Sequence, residues 1–197
     1  MIKKHIKKNK KFFNAIAYFY DFSSFGSGIY NKIVETIKIK NTSKILDAGC
    51  GSGGLLFFLY KQKKNLKLYG IDISEKMLAL ANKKLEKNAD LSLQNIENIN
   101  FRSNSFNYIL SVDAFHHYAD ERKAMDNFYK ILDKDGQLII VDFNFGKFWN
   151  KIFHYIEPGN RGMHSAEEFK NLFKAYKFRN IKQKKMGLFS VLTAGEK

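Results

Sequence analysis

From Ile45 to Gly54 the chain reads ILDAGCGSGG, an aspartate followed by glycines at 49, 51, 53 and 54. Such a run suits neither a helix nor a strand, so it reads as a loop that something approaches closely. A glycine loop opening a helix offers backbone N–H groups to a ligand at the helix N-terminus. Two spacings coexist in it. Gly49, Gly51 and Gly54 satisfy GxGxxG, the cradle of a dinucleotide pyrophosphate. Asp47, Gly49, Gly51 and Gly53 satisfy DxGxGxG. Asp72 follows roughly 20 residues later, where either ligand places an adenosine ribose. Asp47 separates the two. A buried carboxylate beside a pyrophosphate is costly, whereas beside the cationic amino group of a methionine moiety it is favourable.

Other chemistry-bearing residues lie further along. His116 and His117 follow a predicted strand, and a neutral histidine there can take a proton. His164, with Arg161 near it, ends a segment rich in aromatic residues. These histidines with Asp113 are also a less favoured metal set, and no metal is expected. Cys50 is the only cysteine, so an internal disulfide and a cysteine metal cluster are excluded. It reads as a small loop residue.

Periodicity supplies the elements that must hold these groups. Helices are expected over 3–20, 28–39, 54–63, from 75 onward after an N-capping Ser74, over 120–132 and over 165–176. Strands are expected over 44–48, 65–73, 91–95, 106–112 and 137–143, with a final pair in FRNIKQKKM and FSVLTAGE. Strand–helix alternation implies parallel strands with helices on both faces. Only MGL joins the last two strands, too short for a crossover, so they form an antiparallel hairpin. Ligands of such sheets bind beyond the strand carboxyl ends, where the strand order reverses.

The chain resembles the class I S-adenosylmethionine (SAM)-dependent methyltransferases. The match runs through ILDAGCGSGG, GIDIS, NSFNYILSVDAFHHY, ILDKDGQLIIVDF and the closing helix and hairpin. The resemblance implies an α/β, Rossmann-like, seven-stranded, mostly parallel sheet of order 3-2-1-4-5-7-6, last strand antiparallel, with an N-terminal helical lid. It implies SAM as cofactor, held by Asp47, Gly49, Gly51 and Gly53. It implies that Asp72 accepts from both ribose hydroxyls, that Ile73 packs on the adenine, and that Asn95 and Ile96 meet the adenine edge. Asn95 stands where relatives carry an aspartate, so its contact is uncharged. Ser111 and the residues after it would line the methionine end.

FYDFSSFG, residues 19–26, is similar to a stretch in the ubiquinone/menaquinone-biosynthesis methyltransferases, which would turn Tyr20 toward the sulfonium. The alternative is that these aromatics pack the N-terminal helix. A single domain spanning 1–197 is expected, with lids at 1–40 and 143–164. With one proline and Cys50 in the loop, the NPPY and Pro-Cys devices of DNA methylation are excluded, as are paired cysteines for metalloids. A small, apolar or aromatic acceptor remains, with His117, His116 or His164 as base. The net charge of +15 favours a second reading, an RNA methyltransferase, if the basic residues cluster on one face. A general lysine bias along the chain is the plainer explanation, and nucleic acid the less favoured partner. A third reading, an NAD-dependent oxidoreductase, is opposed by Asp47; a fourth is SAM binding without activity. No apolar span is long enough for a transmembrane helix, and a cytoplasmic location is expected.

Overall fold

A computed structural model describes residues 2–23, 27–62, 65–144 and 163–197. Two helices, α1 (Ile2–Ser23) and α2 (Ser27–Ile37), precede the first strand. Strand and helix then alternate: β1 (Lys44–Ala48), α3 (Gly54–Gln62), β2 (Lys67–Asp72), α4 (Glu75–Leu85) and β3 (Asp90–Leu93). A 3-10 turn at Ile96–Asn98 leads to β4 (Phe106–Val112), and a second at Phe115–His117 leads to α5 (Glu121–Ile131). The chain closes with β5 (Leu132–Phe143), α6 (Ala166–Ala175), β6 (Arg179–Lys185) and β7 (Ser190–Glu196). The expected lid at 143–164 falls outside the described residues except for Phe143, Asn144, Met163 and His164.

The seven strands form one sheet of order β3-β2-β1-β4-β5-β7-β6. Strands β1 to β5 pair in parallel, and β7 runs antiparallel to both its neighbours. Each face of the sheet carries its own core. Ile33, Leu56, Leu59 and Leu85 pack α2, α3 and α4 on one face. Phe115, Phe128, Phe169 and Phe173 pack α5 and α6 on the other. The order reverses between β1 and β4, which opens a crevice at their carboxyl ends.

Local chemistry fixes the element ends. The Ser74 hydroxyl accepts from Met77 N–H at 3.1 Å and caps α4 as expected. Ser165 and Glu168 form a reciprocal capping box on α6. Most boundaries move by one to three residues, and one moves further. The pattern places a helix through 132 and starts the strand at 137, yet β5 begins at Leu132, opposite Phe106. The register shifts before Tyr108, and Asp135 takes φ 61° in the bulge. A Cβ on Gly136 would lie 2.9 Å from the Asp133 carbonyl, so the glycine is needed there.

Helix α1 lies against α4, across the end of the sheet. Ile6, Asn9, Phe13 and Ala17 form its inner stripe, at helical spacing. Lys3, Lys4, Lys7, Lys8 and Lys11 are exposed.

Candidate functional site

A cavity opens beyond the carboxyl ends of β1, β2 and β4, with α1 as one wall. The glycine loop forms its floor, but not in the way a phosphate cradle would. Gly49 and Cys50 both donate to the Ile71 carbonyl, at 2.8 and 3.0 Å. Gly51 donates to the Asp72 carboxylate at 2.9 Å, and Gly53 to the Cys50 carbonyl at 2.9 Å. Four amides expected to face a ligand therefore hold the loop onto β2 and onto itself. The glycines answer to different neighbours. A Cβ on Gly49 would stand 2.6 Å from that of Ala114, and one on Gly53 would stand 2.9 Å from the Leu85 side chain. All three spaced glycines take a positive φ, and of them only Gly51, at 52°, has nothing within 4 Å. Gly49 and Gly51 line the cavity, while Gly53 lets α4 close against the loop and is a packing residue.

Asp47, Asp72, Glu97 and Asp113 all line this cavity. Burial, reinforced by the neighbouring Asp72 carboxylate, pushes the Asp47 carboxyl up to about 8. Burial also raises Asp72, although the Ser74 and Gly51 amides donate to it at 2.8 and 2.9 Å and pull the other way. Concentrated carboxylates held away from water favour a cationic ligand, because a nearby positive charge lets them ionise.

Ile73, Asn95 and Ile96 line the cavity beside Asp72, where an adenine ring would extend from the ribose. The Asn95 side-chain oxygen accepts from Glu97 N–H at 3.0 Å and caps the Ile96–Asn98 turn. Ile96 is buried, and its carbonyl accepts from Asn127 at 2.7 Å.

At the other end the histidines part company. His117 lines the cavity, edge-on to Phe13 with ring centroids 4.9 Å apart. His116 is 2 % exposed and does not line it: Nδ1 is 2.7 Å from Asp142, and its ring lies 3.9 Å from that of His117. Asp142 also accepts from the His116 and Phe143 amides, at 3.0 and 2.7 Å, so it braces the turn. Asp113, His116 and Asp142 bring one ligating atom each within 4.8 Å of one another. His164 is away from the cavity, bonded to Glu121 at 2.8 Å and packed on Phe169. Burial acts to lower its pKa, but the Glu121 hydrogen bond and charge outweigh that and raise it. Ser111 is likewise buried behind the wall. Its hydroxyl meets the Tyr118 hydroxyl at 2.9 Å, and Tyr118 donates to the Ala48 carbonyl at 3.0 Å. Burial drives the Tyr118 phenol far above its ordinary range, so it stays protonated. The Tyr20 side chain lies outside the described residues.

Several lining residues escaped the sequence reading: Asn9, Phe13, Tyr30, Glu97 and Tyr118. Asn9 had a usable signal, a polar residue inside the apolar stripe of an amphipathic helix. α1 is fastened around it. Asn9 donates to the His117 carbonyl at 2.9 Å, Lys10 pairs with Glu75, and Asn14 accepts from the Ser74 hydroxyl at 2.6 Å.

Comparison with known proteins bears on the family and the fold. A family described as a methyltransferase domain matches residues 39–187. The demethylmenaquinone methyltransferase of Thermotoga maritima is 30% identical over 127 residues, covering 63% of this chain and 55% of that protein. The phosphoethanolamine N-methyltransferase of Plasmodium falciparum is 28% identical over 169 residues, covering 82% of this chain and 63% of that protein. The chain thus spans little more than half the length of these relatives. Among solved structures, phosphoethanolamine N-methyltransferase 2 of Haemonchus contortus, in complex with phosphomonomethylethanolamine and S-adenosylhomocysteine, superposes with a TM-score of 0.81 at 17% identity, over 93% of this chain and 58% of that one. With a cavity of carboxylates at the strand-order reversal and a family match over most of its length, the chain belongs to the SAM-dependent methyltransferase domains.

Proposed function

We propose that the chain transfers the sulfonium methyl group of SAM to a small, apolar or aromatic acceptor. The observation that carries this reading is the cavity itself. Four carboxylates face it from Asp47, Asp72, Glu97 and Asp113, beside the aromatic wall of Phe13, Tyr30, His117 and Tyr118. The acids suit the cationic cofactor and oppose a phosphate group on the acceptor, while the rings suit a planar or apolar partner. In this reading Asp72 takes the ribose hydroxyls, Ile73, Asn95 and Ile96 border the adenine, and Asp47 faces the methionine amino group. The acceptor's lone pair attacks the methyl carbon in line with the sulfur. The carbon–sulfur bond breaks, its electron pair stays on sulfur, and S-adenosylhomocysteine (SAH) is left. Where the acceptor carries a proton, His117 takes it. Helix α1 acts as the lid of one methyltransferase unit, excluding water so that the alignment holds. The reading includes a cytoplasmic setting, in keeping with a buried free thiol at Cys50. Among the described residues no helix is long and apolar enough to cross a membrane.

The test is turnover with methyl-labelled SAM against neutral aromatic acceptors, phosphoethanolamine and total RNA. Labelled product and SAH in equal amounts from a neutral acceptor support the reading. Turnover confined to phosphoethanolamine or to RNA overturns it.

A further inference from the structure

We infer that Asn9 recognises the methyl acceptor: its side-chain oxygen receives a hydrogen bond from a hydroxyl or amino group on that molecule. The inference rests on the cavity being the site of methyl transfer and specifies what enters it.

Asn9 is 1 % exposed, in the middle of α1, and lines the cavity. Its amide nitrogen is fixed in orientation. It donates to the His117 carbonyl at 2.9 Å and lies 3.2 Å from His5 Nε2. A carbonyl cannot donate, so exchanging the amide's oxygen and nitrogen would set two acceptors face to face. The oxygen is therefore the atom left over, and it is buried with no hydrogen-bond partner among the described residues. Buried acceptors are rarely left unmet, and this one belongs to a residue of the cavity wall, where an arriving ligand can meet it. The position says which ligand. Asn9 is bonded to the turn after β4 and shares that end of the cavity with Phe13, His117 and Asp113, whereas Asp47 and Asp72 stand on β1 and β2. The cofactor's polar ends are served by those aspartates, so the Asn9 oxygen faces the acceptor. A site built to accept a hydrogen bond rejects the isostere that lacks the donor, which makes Asn9 a specificity residue rather than a mere fastening of α1.

The probes are 1-naphthol and 1-methoxynaphthalene, which differ in the donor, titrated into the full chain saturated with SAH. Wild type is expected to bind 1-naphthol at least about tenfold more tightly. Asn9→Leu should reduce that preference to within about twofold while leaving SAH affinity within about twofold. Asn9→Asp keeps an acceptor oxygen and, with its buried carboxyl protonated, can still donate to the His117 carbonyl, so it should retain the preference. Equal binding of the two probes to wild type overturns the inference, as does a preference that survives Asn9→Leu. Loss of the preference in Asn9→Asp as well as Asn9→Leu would mean that an acceptor oxygen at this position does not set it, and overturns the inference. A tenfold or greater fall in SAH affinity in Asn9→Leu would assign the oxygen to the cofactor. Failure of wild type to bind SAH at all is a separate result, and it overturns the reading of the cavity itself.

Discussion

Burial and the neighbouring Asp72 carboxylate raise the Asp47 carboxyl to about 8. A carboxyl whose folded pKa lies above its unfolded value favours the folded state most when protonated. That contribution is complete below about 3.8 and is lost as pH rises toward 8. The free protein is therefore expected to become less stable over this window. A cationic ligand reverses the sign, because it favours the ionised form. The rise in melting temperature caused by SAM should grow from pH 6 to pH 8, and calorimetry at pH 7 in buffers of different ionisation enthalpy should register proton release. Asp47→Asn should remove both effects; their persistence would move the proton elsewhere. Asp72 carries a second residue-scale expectation. Hydrogen bonds to a charged acceptor are each worth about 1.5–3 kcal/mol, so losing the two from the ribose in Asp72→Ala should weaken SAM binding by about a hundredfold to ten-thousandfold. Because Asp72 also receives the Gly51 and Ser74 amides, a modest loss of melting temperature should accompany it. For His117→Ala, kcat should fall about a hundredfold or more while SAM affinity holds, and the lower limb of the pH–rate profile should vanish. An unchanged profile would remove His117 from proton transfer.

At the scale of elements, α1 joins the two ends of the cavity. It is tied to the start of α4 through Lys10–Glu75 and Asn14–Ser74, and to the turn after β4 through Asn9. Deleting residues 1–25 should therefore cut turnover far more than SAM affinity, as steady-state kinetics beside equilibrium binding would show. Equal losses in both would make α1 part of the cofactor site. Much of this frame is legible in the sequence because it is written locally. Ser74 caps α4 three residues from the amide it accepts, and the alternation of strands and helices implies the parallel sheet. The start of β5 was not legible, because LDKDG carries the residues of a turn and becomes strand only by pairing with β4. The far side of the cavity was hidden for the same reason. Asn9 and His117 are brought together across most of the domain, and no periodicity encodes that contact. His116 and His117 are adjacent in sequence, yet one braces Asp142 and the other lines the cavity.

At the scale of the whole molecule, the +15 charge and the acidic cavity are segregated. Exposed lysines lie on α1, on α4 and along β6, where Lys182, Lys184 and Lys185 guard a sheet edge against pairing with another chain. Basic groups spread over separate elements fit general solubility better than a nucleic-acid track. Small-acceptor turnover is then expected to change less than about twofold between 50 and 200 mM salt, whereas a partner gripped by six or more phosphate contacts would lose about a thousandfold in affinity. The engaged amides of the glycine loop reach further than the site. If Asp72 takes the cofactor's ribose, the adenosine carriers that crowd a cell, ATP and NAD among them, would present the same ribose to it but trail phosphates behind. Here those phosphates meet carboxylates and a loop with four of its amides already bonded. In that reading the loop acts as a sieve against them, and leaves the rarer sulfonium-bearing nucleoside an almost uncontested seat.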